Sequence, residues 1–386
     1  MDNKTVDSST MSGHIEPGWE GVGDAFVAAF GRGDELGASV AVTHKGRSVV
    51  DLWGGKANPA GDPWVEDTIV NVYSTTKTMT AISLMMCVDR GLVDVQAPVA
   101  NYWPEFGENG KQAITVAQVL SHTSGLSGFD PAIAASDLYD WDACVTQLAG
   151  QAPWWEPGTA AGYHAVTQGY LVGEIVRRVT GRSLGTFFRE EVAEPLGADF
   201  HIGFGPELDA RCGELVPPSS MEDTFAGVDP ESVVYRTMMS VPLDATEPRS
   251  REWRAAEIPA AGGFGNARSV ARVHSAIACG GEVDGVRLMS PETVEMILEP
   301  QIKGTDLVMM APAHFGLGFG LATELVPLPS PRSFYWGGWG GSLAIIDLDA
   351  QLSVSYVMNK MAAELMGDTR GAGVAIAAFM SALSVP

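Results

Sequence analysis

The chain has 386 residues, of which 46% are hydrophobic and 18% charged, and it carries a formal net charge of −23 at pH 7. These values exclude a disordered chain and predict one large globular domain or two closely packed ones. They also argue against nucleic acids and anionic membranes as partners, because both require basic patches.

The segment 1–13 is polar and lacks the apolar stretch of a secretion signal. No apolar run reaches the length of about 20 residues that crosses a membrane. The four cysteines are scattered without a C-x-x-C pair, and the seven histidines show no metal-ligand spacing. We therefore expect a cytoplasmic protein with reduced thiols, no metal and no cofactor.

The N-terminal region shows strand and helix patterns in close succession. Its predicted elements are helix 18–31, strand 37–44, strand 47–53 and helix 75–90. The dipeptide Lys45-Gly46 between the two strands is typical of a hairpin turn. The helix 75–90 is apolar nearly all round, which indicates that it is buried.

The rest of the chain passes from helices to strands. The predicted elements are a short helix 115–121, helices 166–180, 184–194 and 267–279, strands 317–323, 333–337, 342–348 and 352–358, and a final helix 371–383. Residues 205–260 are irregular and rich in proline and acidic groups, so they are predicted to form a lid or a pocket wall.

Strands at both ends of the chain, with helices between them, predict one sheet built from both termini. We expect residues 1–90 and 260–386 to form this α/β domain. Residues 91–259 are expected to form a mostly helical domain that includes the lid-like segment. A cleft is expected where the two parts meet, because ligand sites are common at such junctions.

Ser74 and Lys77 are three residues apart at the start of the buried helix, so both side chains can lie on one helix face. There the lysine would stand beside a serine hydroxyl, which is a weak nucleophile until a base takes its proton. The spacing alone is weak evidence, because a capping serine and a solvated lysine would share it. A lysine in a buried helix, however, needs a partner or a function.

Two further segments could converge on the same cleft. Residues 158–165 carry Tyr163 on a loop before a helix, and residues 336–342 (WGGWGGS) form a glycine-rich entry to an apolar strand. Each has a purely structural alternative. A lone tyrosine is often a packing residue, and the glycines could form a bulge or a tight strand crossing.

In this order, the three segments resemble the motifs of the class C β-lactamase superfamily, which includes the penicillin-binding proteins, and most of all those of the family VIII bacterial carboxylesterases. The S-x-x-K motif matches Ser74 and Lys77, the Y-x-x motif matches Tyr163, and the W-x-G form of the third motif begins at Trp336. The resemblance covers roughly residues 18 to 383. It implies an α+β fold of the β-lactamase and penicillin-binding-protein type, with an antiparallel sheet flanked by helices and an all-helical domain.

The resemblance implies acyl transfer through a serine ester. Ser74 would attack the substrate carbonyl, and Lys77 and Tyr163 would act as a coupled base, the ammonium lowering the cost of a phenolate-like tyrosine. The backbone N–H groups of Ser74 and Trp339 would form the oxyanion hole. The scheme uses no metal and no cofactor.

The resemblance also implies a set of substrate-binding residues around the nucleophile. These are Trp336, Gly337, Gly338, Trp339, His164 and Trp155. Trp336 stands where lactamases hold a lysine, and Ala165 stands where they hold an asparagine. Because an indole and a methyl group cannot bind the carboxylate and the side-chain amide of a lactam, we expect a neutral short-chain carboxylic ester as the small-molecule substrate.

Other functions stay open at this point. The same serine and lysine could serve a β-lactamase or a DD-peptidase-like amidase, and a weak lactamase side activity is compatible with an esterase. A transacylase would differ only in the acceptor of the acyl group. A catalytically silent binding protein could retain the fold, and either a monomer or a homodimer is compatible with the sequence.

A second serine lies in a more familiar pattern. Residues 181–185 (GRSLG) fit the G-x-S-x-G nucleophile elbow, which needs a strand before the serine and a helix after it. Here an amphipathic helix comes first, so Gly181 is interpreted as its C′ residue and Ser183 as the N-cap of the next helix. We therefore expect Ser183 to be structural.

Overall fold

The structure is a computed structural model, and it describes residues 11–218, 227–363 and 368–385. Most of the predicted lid-like segment 205–260 is therefore described, whereas its residues 219–226 lie outside the described ranges. Within these ranges, no helix combines the length and the apolar character that crossing a membrane requires.

The described chain contains both helices and strands. The helices are α1 (Glu20–Gly31), α2 (Thr76–Asp89), α3 (Val116–Leu120), α4 (Trp141–Gly150), α5 (Thr167–Thr180), α6 (Leu184–Phe188), α7 (Glu194–Leu196), α8 (Val233–Met239), α9 (Arg251–Ala255), α10 (Ala267–Ala278), α11 (Pro291–Met296) and α12 (Thr369–Ala382). The strands are β1 (Met11–Ile15), β2 (Gly37–His44), β3 (Arg47–Gly55), β4 (Val70–Asn71), β5 (His201–Ile202), β6 (Gly263–Gly265), β7 (Glu282–Val283), β8 (Val286–Arg287), β9 (Ile302–Thr305), β10 (Pro312–Phe315), β11 (Ser333–Gly337), β12 (Leu343–Asp347) and β13 (Leu352–Met358).

The main sheet has six strands in the order β1-β3-β2-β13-β12-β11, and every neighbouring pair is antiparallel. Strands from the two ends of the chain meet where β2 pairs with β13. The predicted hairpin is confirmed, because Lys45 and Gly46 both have positive φ angles, 52° and 80°, between paired His44 and Arg47. Two successive residues of this kind match the twist of the flanking strands.

Helices cover both faces of this sheet. α1 and α12 pack together and over the sheet, and α10 packs over β2, β13 and β12. Every residue of β13 is buried, as expected for a strand with helices on both sides. The predicted α+β class, with an antiparallel sheet flanked by helices, is therefore confirmed. The division into domains at residues 90 and 260 stays a prediction.

Two predictions about the elements are wrong. The predicted strand 317–323 is absent: β10 ends before it at Phe315, and within this range only Gly320 forms isolated bridges. Leu317 and Phe319 are apolar because they are buried in the core, and Gly318 has φ +82°, so the chain turns between them. The segment 205–260 is less irregular than predicted, because it contains α8 and α9.

The central helices α2 and α5 pack against each other and against the segment that leads into β6. Gly169 of α5 permits this contact, because a Cβ atom there would stand 2.3 Å from the backbone nitrogen of Ala260 and 2.7 Å from the carbonyl carbon of Pro259. Real Cβ atoms do not approach other atoms so closely. The small residue therefore sets how near Ala260 lies to both helices.

The substitution Gly169→Ala is expected to lower the free energy of unfolding by about 1–3 kcal/mol, because the added methyl group must displace the Ala260 backbone. Urea denaturation measures this change. Gly373→Ala in α12 is the matched control, since a Cβ there meets nothing within 4 Å. It should leave stability unchanged or raise it by about 0.5–1 kcal/mol. Equal stability of the two variants would contradict the close contact.

Candidate active site

A strained turn presents Ser74 at the start of α2. Tyr73 has φ +42°, which is unusual for a bulky residue and is tolerated only where surrounding contacts enforce it. The side chain of Asn71 accepts the Tyr73 N–H at 3.0 Å, and the buried phenol of Tyr73 donates to the Ala245 carbonyl at 3.2 Å. Ser74 follows in a 3₁₀ turn and is partly exposed.

Lys77 lies one turn further along and is completely buried. Its Nζ atom is 3.0 Å from Ser74 Oγ and donates to the carbonyl oxygens of Ala165 at 2.7 Å and Ala260 at 3.0 Å. All three partners are neutral oxygens. Burial therefore lowers the pKa of Lys77 well below that of an ordinary lysine, because no negative charge offsets the loss of water.

Tyr163 approaches the same serine from the loop before α5. Its phenolic oxygen is 2.5 Å from Ser74 Oγ, and Lys77 Nζ lies 4.9 Å from the centre of its ring. Burial raises the pKa of Tyr163, and the hydrogen bonds with Ser74 and Trp336 offset only part of that rise. The structure thus brings the hydroxyl, the amine and the phenol together, as the sequence predicted, with both titratable groups shifted toward their neutral forms.

The glycine-rich segment 337–341 passes directly beside the serine turn. A Cβ on Gly338 would stand 2.1 Å from the carbonyl oxygen of Val72, so only glycine permits this approach. Ser342 fastens the two segments, because its hydroxyl donates to Val72 O at 2.7 Å and lies 2.9 Å from Thr75 Oγ1. The sequence analysis missed Ser342, although its place directly after the glycines was a signal.

Two backbone N–H groups lie at this contact, those of Ser74 and Trp339. Among the hydrogen bonds of the described residues, neither the Ser74 N–H nor the Trp339 N–H is a donor. A buried N–H group without a partner is costly unless water or a ligand satisfies it. These are the two groups that the sequence analysis expected to form an oxyanion hole.

An aromatic cluster lines one side of the site. His122 stacks on Trp336 with ring centres 5.3 Å apart and an angle of 22°, and Phe315 and Tyr163 pack against both rings. Trp336 is 6% exposed, so most of the indole contacts protein and only an edge remains for a ligand. Burial lowers the pKa of His122 well below that of an ordinary histidine, so this ring is neutral.

His164 lies beneath the Tyr163 loop and not in the cleft, so the expected contact with substrate is wrong. Its side chain is fully buried. Burial lowers the pKa of His164 to about 3, so the neutral ring donates from Nδ1 to the Gly162 carbonyl at 2.5 Å. Its Nε2 atom then accepts from the Ser124 hydroxyl at 2.7 Å. The residue supports the loop from inside.

Trp155 is partly exposed and packs on the same loop. A Cβ on Gly162 would stand 2.5 Å from the Trp155 ring, and the indole N–H donates to the Ala160 carbonyl at 3.0 Å. The Trp339 ring packs on Tyr73, with ring centres 5.0 Å apart. Gly337, Gly338, Trp339 and Trp155 all keep some exposed surface, and their contact with substrate stays a prediction.

Ser183 lies at the N-terminus of α6, at a distance from this constellation. Gly181 ends α5 in the left-handed conformation, and the Ser183 hydroxyl accepts the Thr186 N–H. The same hydroxyl donates to Glu257 at 2.6 Å, and Glu257 also accepts the Gly185 N–H at 2.8 Å. The element directly before this serine is the helix α5 and not a strand, so the elbow interpretation fails on geometry.

The comparisons with known proteins agree with the fold and the site. The family model described as "Beta-lactamase" matches residues 22–378, so the chain belongs to the β-lactamase family. Within that family it resembles the family VIII carboxylesterases: a crystal structure of one such enzyme is 41% identical, with a TM-score of 0.90 over 96% of this chain and 99% of the other.

Two further relatives extend the comparison. The esterase/β-lactamase LipL of Mycobacterium tuberculosis is 36% identical over 92% of this chain and 84% of its own length. A structure described as a penicillin-binding protein homologue from Caulobacter crescentus is 38% identical, with a TM-score of 0.88 over 96% of this chain and 99% of the other. The fold is therefore that of β-lactamases and penicillin-binding proteins.

Replacing Ser183 by alanine is expected to keep more than half of any ester-hydrolysing activity. It should lower the free energy of unfolding by about 0.5–2 kcal/mol, because α6 loses its N-cap. Steady-state rates and thermal unfolding of the same preparation separate the two effects. Complete loss of activity in a folded Ser183→Ala protein would restore the nucleophile elbow.

Proposed function

We propose that this protein is a serine carboxylesterase that hydrolyses short-chain carboxylic esters through an acyl-enzyme on Ser74. The observation that carries the proposal is the contact of one partly exposed hydroxyl with both a buried amine, at 3.0 Å, and a phenol, at 2.5 Å. Such a hydroxyl has a base to take its proton and a second group to return one.

The count of donors favours Lys77 as the group that takes the proton. A neutral amine has two N–H donors, and the Ala165 and Ala260 carbonyls accept both. Its lone pair is then directed toward Ser74 Oγ. The phenol of Tyr163 stays protonated, because burial raises its pKa, and it acts as a relay rather than as a resting phenolate.

The proposed reaction runs in two stages. Ser74 Oγ attacks the ester carbonyl as its proton passes to Lys77 Nζ, and the oxyanion is bound by the N–H groups of Ser74 and Trp339. The carbon–oxygen bond to the alcohol then breaks, the alkoxide takes the Tyr163 proton, and Lys77 returns a proton to the phenol. Water repeats the sequence on the acyl-enzyme, which releases the acid and restores Ser74.

The surroundings favour a neutral, small ester. The walls nearest the serine are aromatic, and Trp336 occupies the position of the cation that would bind a lactam's carboxylate. Trp336 is largely buried against His122, Phe315 and Tyr163, so packed aromatic rings form this side of the site. A short acyl chain fits such a site better than a long one.

Three other activities use the same chemistry. A β-lactamase or a DD-peptidase-like amidase would also acylate Ser74, but Trp336 stands where lactamases hold the lysine for the substrate's carboxylate. A transacylase would replace water by an alcohol in the second stage. The relatives described as esterases support ester hydrolysis first, and the name of LipL makes a weak lactamase side activity worth measuring.

Ser74→Ala is expected to abolish hydrolysis of p-nitrophenyl acetate while the protein stays folded by circular dichroism. Brief exposure to this ester should add one acetyl mass to the wild-type protein and to Ser183→Ala, and none to Ser74→Ala. Retained turnover in Ser74→Ala would disprove the nucleophile. A parallel exposure to a penicillin reports on the lactam alternative, and faster acylation by penicillin than by the ester would favour a lactamase.

The pH dependence separates the two candidate bases. Activity is expected to fall as the pH drops through the pKa of Lys77, which burial lowers from the ordinary value of 10.5, because the protonated amine cannot accept the serine proton. The substitution Tyr163→Phe should lower kcat about 10²- to 10⁴-fold and keep this acidic limb of the kcat/KM profile. Loss of the acidic limb in Tyr163→Phe would instead identify a phenolate base.

A further inference from the structure

Three successive backbone N–H groups hold the loop that carries Tyr163. The Gly162 N–H donates to the backbone carbonyl of His122 at 2.9 Å, and the His164 N–H donates to Nδ1 of the same histidine at 3.2 Å. The N–H of Tyr163 itself is accepted by Oδ1 of Asp306 at 3.0 Å. Of these acceptors, only the Asp306 carboxylate acts on the tyrosine directly.

Asp306 lies in the turn between β9 and β10 and is 1% exposed. The same Oδ1 atom also accepts the N–H groups of Val308 and Met309, both at 2.8 Å. The turn and the tyrosine loop are joined a second time, because the Leu307 N–H donates to the Ala161 carbonyl at 2.8 Å. One carboxylate oxygen thus fixes its own turn and the loop together.

Burying a carboxylate that is bound only by backbone amides costs free energy, because the charged group loses its water. In the described residues, Asp306 forms no ion pair, and its Oδ2 atom is buried without a hydrogen-bond partner. Burial raises the pKa of Asp306, and the three N–H donors offset part of that rise. Because all three donors converge on one oxygen, a side chain that places an acceptor oxygen at this point holds the turn and the loop together.

The hairpin formed by β9 and β10, whose turn carries Asp306, also contacts the site through its second strand. Phe315 at the end of β10 packs on His122 and Trp336, with ring centres 5.3 and 5.6 Å apart. The two ends of the hairpin therefore contact both the tyrosine loop and the third motif. A shift of this hairpin would move Tyr163 relative to Ser74, where the contact of 2.5 Å leaves little freedom.

We propose that Asp306 is a positioning residue, which fixes the backbone of Tyr163 and thereby holds the phenol against Ser74. This inference rests on the proposed function, in which Tyr163 relays a proton. Asp306 touches no substrate, so its removal should act on kcat and leave KM unchanged. Displacing a reacting group by about 1 Å can lower a rate about 10²-fold.

The test uses p-nitrophenyl acetate and the full-length protein. Asp306→Ala is expected to lower kcat at least about tenfold with KM within about twofold. Asp306→Asn retains an acceptor oxygen of the same shape, so it should keep kcat within about threefold of wild type. Equal losses in the two variants would overturn the proposal, because charge and not the position of the acceptor would then matter.

Asp347→Ala is the matched control. Asp347 is also a buried turn aspartate that accepts a backbone N–H, from Ala350 at 2.6 Å, but it lies at the end of β12 remote from Ser342. It should lower thermal stability and leave kcat of the folded protein within about twofold. If Asp347→Ala lost as much kcat as Asp306→Ala, the loss would be a general effect of destabilisation and the proposal would be overturned.

If Asp306→Ala does not fold, Asp306→Ser replaces it in the same comparison.

A double-mutant cycle with Tyr163→Phe gives the decisive readout. If Asp306 acts through the phenol, adding Asp306→Ala to Tyr163→Phe should lower kcat by less than about twofold further. Additive losses would mean that Asp306 acts on Ser74 or Lys77 and would overturn the proposal. Acetylation of Ser74 distinguishes failure of the proposed function from failure of the role of Asp306. If the wild-type protein is not acetylated, the proposed function is wrong. If it is acetylated and Asp306→Ala has unchanged kinetics, only the role of Asp306 is wrong.

Discussion

A buried lysine amine with no counter-ion among the described residues is the constraint on which the site depends. Lys77 must give up water, and in the described chain two backbone carbonyls, from Ala165 and Ala260, and the serine hydroxyl replace it. Those carbonyls belong to the loop before α5 and to the segment that Gly169 lets approach. Helix packing, the tyrosine loop and the Ser74 turn are therefore coupled through one amine, whose neutral form is favoured by its surroundings.

Polar contacts between distant segments also hold the other two motifs. Short polar contacts hold segments that are far apart in the chain: Ser342 binds the turn of Ser74, and Asp306 binds the backbone of Tyr163. Neither residue needs to touch a substrate. Each fixes a backbone, and the backbone presents the reactive groups, which is how a site built on rigid elements achieves its precision.

Sequence patterns predicted best where local physics decides the structure. The hairpin at Lys45-Gly46 and the strands β11, β12 and β13 follow from turn chemistry and alternation, and they formed as expected. The segment 317–323 did not, because its apolar residues serve the core around a turn at Gly318. His164 was expected in the cleft because it neighbours Tyr163, but neighbours on a loop point in different directions, and His164 points inward.

By itself, the sequence determined which residues could meet: Ser74 and Lys77 are close because one helix turn separates them, and the order of the three motifs indicated the family. Only the tertiary structure decided what state these groups adopt. The pKa directions of Lys77 and Tyr163 come from burial, and burial brings together segments more than 80 positions apart in sequence, as in the contacts of Lys77 with Ala165 and Ala260 and of Tyr163 with Ser74. Long-range packing sets the dielectric surroundings, and no local pattern encodes it.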